Sequence, residues 1–355
     1  MKQVIGISLG ARQQDFALRT QLLGQTLQVR RLGTDGDLAE AGRLLRHWDA
    51  RADALGLGPA KDSGNLADGG FDPRRAVRLR AKVTEAPFSN GARLADILLE
   101  WAVRHAQSTL GHYFDNARVL FFSGLAHQKL ALSMAEYTPN LQFADPVLQL
   151  GSPKLLTSLD ALGLYANGMH YVADWVPRRL ISGALMAQWA QHVLKRAACH
   201  ATVLVAPVHQ LDALGLEELA GKTLVTHTVN DARMAAFKDK GVHLVIDAAP
   251  LIRGHAIDPS LFDAMLLAAS GRRGGDLHDD DYLEILGAEG LQPRLLYPNG
   301  FKRVNRFAFV IHPLSQEYFK KVKPIELLSQ VSPPVFMNSL EKIMAYAPPF
   351  VYSKV

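Results

Sequence analysis

The stretch "ARVLFFSGLAHQKLALSMAEYTPNLQFADPVLQL" (residues 117–150) alternates between two kinds of apolar pattern. Its first and last parts, residues 117–124 and 140–150, are compact apolar runs that are typical of buried strands. Residues 125–137, between them, have the apolar spacing of a helix. A strand, a helix and a second strand in this order predict parallel pairing in a sheet that helices cover.

The same alternation continues in both directions along the chain. We predict further strands or extended segments over residues 2–10, 25–33, 52–59, 75–87, 201–208, 222–229, 242–250 and 293–300. We predict further helices over residues 34–49, with Asp37 as the N-cap, and over 90–111, 152–165, 171–197, 230–241, 258–271 and 281–290.

These elements predict an α/β fold with two Rossmann-like lobes, whose sheets are mostly parallel and are linked by helices. We place the first lobe at residues 1–150, a helical connection at 151–198 and the second lobe at 199–300. A short C-terminal segment, residues 301–355, follows them.

The composition is that of a globular protein, with 48% hydrophobic and 21% charged residues. The single cysteine, Cys199, excludes an internal disulfide and a multi-cysteine zinc site, and we expect it to be a small buried hydrophobe. The N-terminus has no signal-peptide pattern, and no apolar run is long enough to span a bilayer. Together these features predict a cytoplasmic protein.

The positive charge is concentrated in the C-terminal segment. Residues 301–355 hold eight Lys and Arg against three Glu, so they account for the whole net charge of +5, and they hold nine of the 28 aromatic residues. One interpretation is a solvated basic face. The other is a surface for an acidic protein or an anionic membrane. No nucleic-acid-binding motif is present, so we expect no nucleic acid partner.

Ligands of open α/β sheets bind beyond the carboxyl ends of the strands. The residues at those positions are Ser8, Gly10, Gly56, Gly58, Ser123, Gly124, Asp145, Pro207, His227, Thr228 and Asp247. In "GISLG" and "FFSGLAHQ", small residues stand where a strand turns toward a helix or loop, which would let a phosphate approach the backbone. The cofactor-binding candidates are therefore Gly6, Ser8, Gly10, Ser123 and Gly124, although their glycines could equally serve tight turns.

Acid–base chemistry has only weak candidates in this sequence. His227 and Asp247 end predicted strands, as does His312, but a structural histidine is the alternative for both imidazoles. Residues 279–281 are three aspartates before a helix, and we interpret them as first-turn acids that complement the helix dipole. We predict no metal site.

The segments "VIGISLG" (4–10), "RLGTDGDL" (31–38), "ALGLG" (54–58), residues 225–250 and "RLLYPNG" (294–300) resemble bacterial proteins described as quinate 5-dehydrogenase. This resemblance implies a Rossmann-like fold and an NAD or NADP cofactor. The S-x-S clamp, the catalytic Lys with its Asp partner and the G-A-G-G-A loop of shikimate and quinate dehydrogenases are absent here. The resemblance thus implies the fold more firmly than it implies quinate.

The segments "FAFVIHPLS" (307–315), "PPVFMNSLEKIMAYAPPF" (333–350) and "VYSKV" (351–355) resemble the opening of long-chain acyl-carrier-protein (acyl-ACP) reductases. In that family the nucleotide loop and the catalytic cysteine lie further along the chain than this segment extends. No catalytic residue carries over from this resemblance.

Two functional hypotheses follow. The first is an NAD(P)-dependent oxidoreductase, or the nucleotide-binding part of one, acting on a small hydroxy-acid, carbonyl or acyl substrate. The second is a non-catalytic small-molecule-binding or regulatory module, with its ligand in a cleft between the lobes, that docks an acidic partner.

Overall fold

A computed structural model of the protein describes residues 1–58, 78–172, 184–216, 219–272 and 277–300. The strands are β1 (Lys2–Ser8), β2 (Phe16–Leu22), β3 (Gln25–Gly33), β4 (Ala54–Leu57), β5 (Phe88–Ser89), β6 (Val119–Phe121), β7 (Leu141–Phe143), β8 (Val203–Val205), β9 (Thr223–Thr226), β10 (Leu244–Asp247), β11 (Leu251–Ile252), β12 (His255–Ala256) and β13 (Arg294–Leu296). The helices are α1 (Leu38–Asp49), α2 (Ala92–Leu110), α3 (Gln128–Ala135), α4 (Asp145–Leu150), α5 (Leu159–Val172), α6 (Ala184–His200), α7 (Val208–Leu214), α8 (Asp231–Asp239), α9 (Pro259–Ser270) and α10 (Asp279–Ala288).

The strands form two mostly parallel sheets and a small hairpin. The five-stranded sheet has the order β2-β3-β1-β4-β5, and within it only the pairing of β2 with β3 is antiparallel. The six-stranded sheet has the order β13-β10-β9-β8-β6-β7, and within it only the pairing of β13 with β10 is antiparallel. Helices link the two sheets, so the predicted α/β fold class is confirmed.

Capping residues mark the starts of three helices. The Asp37 carboxylate caps α1 by accepting the backbone N–H groups of Ala39 and Glu40. Asp258 caps α9 in the same way, with Pro259 in the first turn. At the start of α10, the Asp281 carboxylate accepts the His278 N–H at 2.7 Å, so this acid serves the helix N-terminus as expected.

Helices α9 and α2 lie between the two sheets. Helix α9 packs on β1 and β4, α2 packs on β9 and β10, and the two helices pack on each other. One apolar core therefore runs from Val4 through Leu98 and Leu261 to Val205 and Ile246. The outer face of the five-stranded sheet is covered by α1, and that of the six-stranded sheet by α6, α7 and α8.

The structure differs from the sequence analysis in several elements. Strands β6 and β7, which we placed in the first lobe, pair within the six-stranded sheet. Residues 145–150 form helix α4 rather than the end of a strand, because Pro146 in the first turn suits a helix start. Residues 78–80 are helical where we expected an extended segment. Strand β2, the hairpin of β11 and β12, and helix α7 were not predicted.

Cys199 is exposed, which corrects the prediction that it is buried. Its neighbours Leu194, Ala197 and Ala198 form the buried face of α6, and Cys199 lies off that face. His312 and the whole C-terminal segment, with its expected acidic or membrane partner, lie outside the described residues. In the described part of the chain, no helix is long and apolar enough to cross a membrane.

Candidate functional site

The glycines at the end of β1 serve packing and local hydrogen bonds. A Cβ at Gly6 would lie 3.0 Å from the side chain of Leu261, so this glycine lets α9 approach the sheet. The N–H of Gly10 donates to the Ser8 hydroxyl at 3.0 Å, and that hydroxyl also accepts from Arg31 at 3.1 Å. Because these groups satisfy one another, they do not form an open phosphate cradle.

The loop after β6 is held by Asp145, which is fully buried. Its carboxylate accepts the N–H groups of Gly124 at 2.8 Å and Leu125 at 3.1 Å, and the Ser123 hydroxyl at 3.4 Å. Burial raises the pKa of Asp145, while the hydrogen bonds from Leu125 and Gly124 oppose that shift. Since the loop donors already bind this carboxylate, they are not available to a phosphate.

Asp247 holds the loop after β9 in the same manner. Its buried carboxylate accepts the N–H groups of Thr228 at 2.8 Å, Val229 at 3.0 Å and Ala249 at 3.0 Å. Arg294 on the antiparallel strand β13 forms an ion pair with the same carboxylate. We had proposed Asp247 as a catalytic candidate, but its contacts are those of an anchor for the loop that carries His227.

A polar pair that the sequence analysis missed lies at the same sheet edge. Asp96 is on the first turns of α2, and His127 ends a short 3₁₀ turn after β6. Asp96 Oδ1 and His127 Nδ1 are 3.7 Å apart, and only 15% and 12% of the two side chains are exposed. Both atoms are buried, and neither has a hydrogen-bond partner among the described residues.

His227 completes what we call the His–Asp cluster, made of Asp96, His127, His227 and Asp258. Burial lowers the pKa of His227, and the neighbouring imidazole of His127 lowers it further, while Asp247 and Asp258 act in the opposite direction. His227 is therefore within electrostatic reach of His127 and of Asp258, the N-cap of α9. At neutral pH the lowered pKa keeps His227 uncharged.

The charges at this edge favour some ligands over others. Asp96, Asp145, Asp247 and Asp258 are four carboxylates near the ends of the strands, and the described cation among them, Arg294, is paired with Asp247. The N–H groups of Gly124, Leu125, Thr228 and Val229 are already used by Asp145 and Asp247, and the carboxylates of Asp96 and Asp258 disfavour an anionic group at this edge. A group with hydrogen-bond donors would suit Asp96 Oδ1, which faces His127 Nδ1 at 3.7 Å but accepts no hydrogen bond from the described residues.

The structure gathers some of the predicted site residues and separates others. His227, Thr228 and Asp247 lie together, as do Ser123, Gly124 and Asp145. Pro207 precedes α7 as its N-cap, and Gly58 donates its N–H to the Ile7 carbonyl at 2.7 Å. Among the described residues, no group of three or more His, Cys, Asp or Glu is arranged to hold a metal ion.

A family model described as "Domain of unknown function (DUF8754)" matches residues 93–298, and the chain belongs to this family. A second model, "Domain of unknown function (DUF8753)", matches residues 3–90. The boundary between the two models falls between β5 of the five-stranded sheet and α2. No curated protein matches the chain.

Several of the solved structures that match the chain are sugar-binding proteins. A galactofuranose binding protein has 9% identity and a TM-score of 0.30, with 83% of this chain and 95% of that chain covered. A carbohydrate transporter solute binding protein from Agrobacterium radiobacter, solved with D-arabinose, has 10% identity and a TM-score of 0.32, with 83% and 94% covered. A sugar-binding protein of a sugar ABC transporter from Bacillus halodurans has 10% identity and a TM-score of 0.32, with 76% and 89% covered.

These findings correct the oxidoreductase hypothesis. These neighbours are sugar-binding and solute-binding proteins, and the matching families are described as of unknown function. The resemblances to quinate dehydrogenases and acyl-ACP reductases, and the functional predictions drawn from them, were therefore wrong. The expected dehydrogenase or reductase with an NAD or NADP cofactor was wrong for the same reason. The hydrogen bonds within the loops after β1 and β6 give a physical reason, because the predicted phosphate contacts are already used.

Proposed function

We propose that the protein is a non-catalytic module that binds a small polar molecule at the His–Asp cluster. The site lies where the carboxyl edge of the six-stranded sheet meets the N-terminus of α9, the helix that packs on the five-stranded sheet. It is thus at the junction of the two sheets, as the predicted cleft between lobes would be.

The observation that carries this proposal is the pair of unsatisfied atoms, Asp96 Oδ1 and His127 Nδ1. A buried polar atom without a hydrogen bond costs about 1–3 kcal/mol, so native proteins rarely leave two side by side. A bound polar molecule that reaches both atoms would remove that cost.

The anchors at the ends of β7 and β10 support the same function. Asp145 fixes the loop that leads to His127, and Asp247 fixes the loop that carries His227. Both imidazoles therefore sit on loops held by several backbone hydrogen bonds, and such preorganisation lowers the entropic cost of binding.

A thermal-shift screen of the full chain against a broad metabolite library, followed by titration calorimetry of each hit, tests this function. We expect at least one small polar compound to bind, and Asp96→Asn and His127→Gln each to weaken it tenfold or more. The matched control is His112→Gln, because the His112 side chain is 87% exposed and follows the C-terminal end of α2, whereas Asp96 lies in the first turns of that helix.

Binding that stays unchanged in both cluster variants would contradict the proposed site. The absence of any hit would contradict the function itself. Turnover of a hit by the protein would contradict the non-catalytic assignment.

A further inference from the structure

We infer that the ligand presents a hydroxyl group, held between Asp96 Oδ1 and His127 Nδ1, and that phosphorylated and ammonium-bearing analogues are rejected there. This inference rests on the proposed function and adds the chemical class of the ligand. It is argued from the two atoms themselves and from the groups around them.

The position of the proton on His127 decides whether its Nδ1 can donate a hydrogen bond. Its Nδ1 faces a carboxylate oxygen at 3.7 Å, and a facing carboxylate favours the form in which that nitrogen carries hydrogen. His127 Nδ1 is then a donor, whether the ring is neutral or charged. Asp96 Oδ1 is an acceptor.

The distance between Asp96 Oδ1 and His127 Nδ1 decides whether the two atoms can bond directly. At 3.7 Å the two atoms are too far apart for a good direct hydrogen bond. A single oxygen atom about 2.8 Å from each of them would complete a triangle with normal hydrogen-bond lengths. The bridging atom must accept from His127 and donate to Asp96 at the same time.

Few groups can both accept from His127 and donate to Asp96. A hydroxyl has one donor hydrogen and two acceptor lone pairs, so it fits. An ammonium group has donors only and cannot accept from His127. A carbonyl or a fully ionised phosphate has acceptors only and cannot donate to Asp96.

The surroundings reinforce this choice. Asp96 supplies a carboxylate beside His127, and the carboxylate of Asp258 acts on His227, so an anion beside the cluster would be repelled. The two unsatisfied atoms are covered, while parts of both side chains reach the surface. A hydroxyl ligand would approach from that partly exposed side, and the two side chains would have to move to admit it.

Matched ligand series test the inference on the full chain. The probes are monosaccharides and cyclitols, each measured by calorimetry beside its amino-substituted and its phosphorylated derivative. We expect a neutral member to bind, its phosphorylated and amino derivatives to bind at least tenfold more weakly, and Asp96→Asn to weaken the neutral member tenfold or more.

Three results would overturn the inference in different ways. Preferential binding of an amino or phosphorylated member would refute the hydroxyl class but leave the proposed function standing. Binding of a metabolite without hydroxyl groups at the cluster would do the same. If neither these series nor the broad library gives binding, the proposed function fails as well.

A second measurement uses the wild-type protein, so it does not require any variant to fold. In the protein labelled with ¹⁵N-histidine, we expect the spectrum of His127 to show a protonated Nδ1 at neutral pH. A bare Nδ1 with the proton on Nε2 would leave no donor for the ligand hydroxyl and would overturn the inference.

Discussion

At the scale of single residues, Asp145 and Asp247 perform the same task at two places. Each carboxylate stands at the end of one parallel strand and accepts backbone N–H groups from the loop after the neighbouring strand. The sequence places both aspartates at the correct edge of a sheet. It does not show that their lone pairs are used within the protein, because that depends on loop conformation.

Removing the charge of Asp247 should be costly. Asp247→Asn leaves Arg294 without its counter-ion and weakens hydrogen bonds to Thr228, Val229 and Ala249. We expect a loss of about 3 kcal/mol in the free energy of unfolding, measured by urea denaturation. Asp280→Asn removes the same charge at an exposed position and serves as the control. Equal stability of the two variants would argue against the anchor.

Asp49 should make stability depend on acid pH. Burial alone would raise its pKa, but hydrogen bonds from Ala86, Thr84 and Glu85 outweigh burial and lower it to about 2. A lowered carboxylate pKa stabilises the fold above its unfolded value of 3.8, and this contribution is lost as the pH falls from 3.8 toward 2.

The variant Asp49→Asn tests this sign. We expect it to be about 1 to 2 kcal/mol less stable than the wild type at pH 7, with solvent screening included, and the difference to shrink below pH 4. Urea denaturation at several pH values measures it. A difference that stays constant from pH 7 to pH 3 would show that the Asp49 charge is not responsible.

At the scale of elements, helix α9 depends on glycines in the strand it covers. A Cβ at Gly56 would lie 2.6 Å from the Ser260 carbonyl oxygen and 2.9 Å from its carbon. Gly6 in β1 faces Leu261 of the same helix. These two glycines therefore let the first turn of α9 rest directly on the five-stranded sheet.

Gly56→Ala should push α9 away from β4. Backbone atoms cannot move aside as a flexible side chain can, so we expect a loss of about 2 to 3 kcal/mol in the free energy of unfolding. The matched control is Gly287→Ala in α10, where a Cβ meets nothing within 4 Å. There helix propensity should raise stability by up to about 1 kcal/mol. Equal effects of the two substitutions would contradict this packing.

Apolar periodicity and capping residues suffice to predict most elements of this chain. Strands β1, β3 and β4 and helices α1, α2 and α9 follow directly from them. Strand β2 was not predicted because "FALRTQL" is an edge strand in which Ala17, Arg19 and Gln21 are exposed. Its apolar residues therefore do not form the continuous run that is typical of a buried strand. Its pairing with β3 is set by the turn at Leu23 and Gly24, which the apolar pattern does not report.

At the scale of the molecule, the two sheets share one core. The two family models divide the chain between β5 and α2, yet α9 from the second matched region covers the sheet of the first. Residues 1–302 also form one compact unit. Strand–helix alternation is enough to predict an α/β fold. The packing of α9, from the second matched region, on the sheet of the first is a long-range contact that no local sequence pattern predicts.

This shared core predicts that the two sheets unfold together. In native-state hydrogen exchange, the amides of β1 and β8 should open with the same free energy, within about 0.5 kcal/mol. Both values should fall by the same amount in the variant Gly56→Ala. A variant that lowers the value for β1 but not for β8 would show that the sheets are independent units.

Only part of the candidate site could be predicted. His227 and Asp247 follow from the rule that ligands lie beyond strand ends. Asp96 belongs to a helix and His127 to a 3₁₀ turn, and Asp258 arrives with α9 from far along the chain. Their meeting depends on tertiary packing, so a local motif does not reveal it.

The most direct test of the proposed function is calorimetric titration of the wild type and the variant Asp96→Asn with the best neutral hydroxylated compound from the screen. We predict saturable binding to the wild type, and affinity at least tenfold lower in Asp96→Asn, while His112→Gln binds like the wild type. Equal affinity in the wild type and Asp96→Asn would contradict a binding site at the His–Asp cluster.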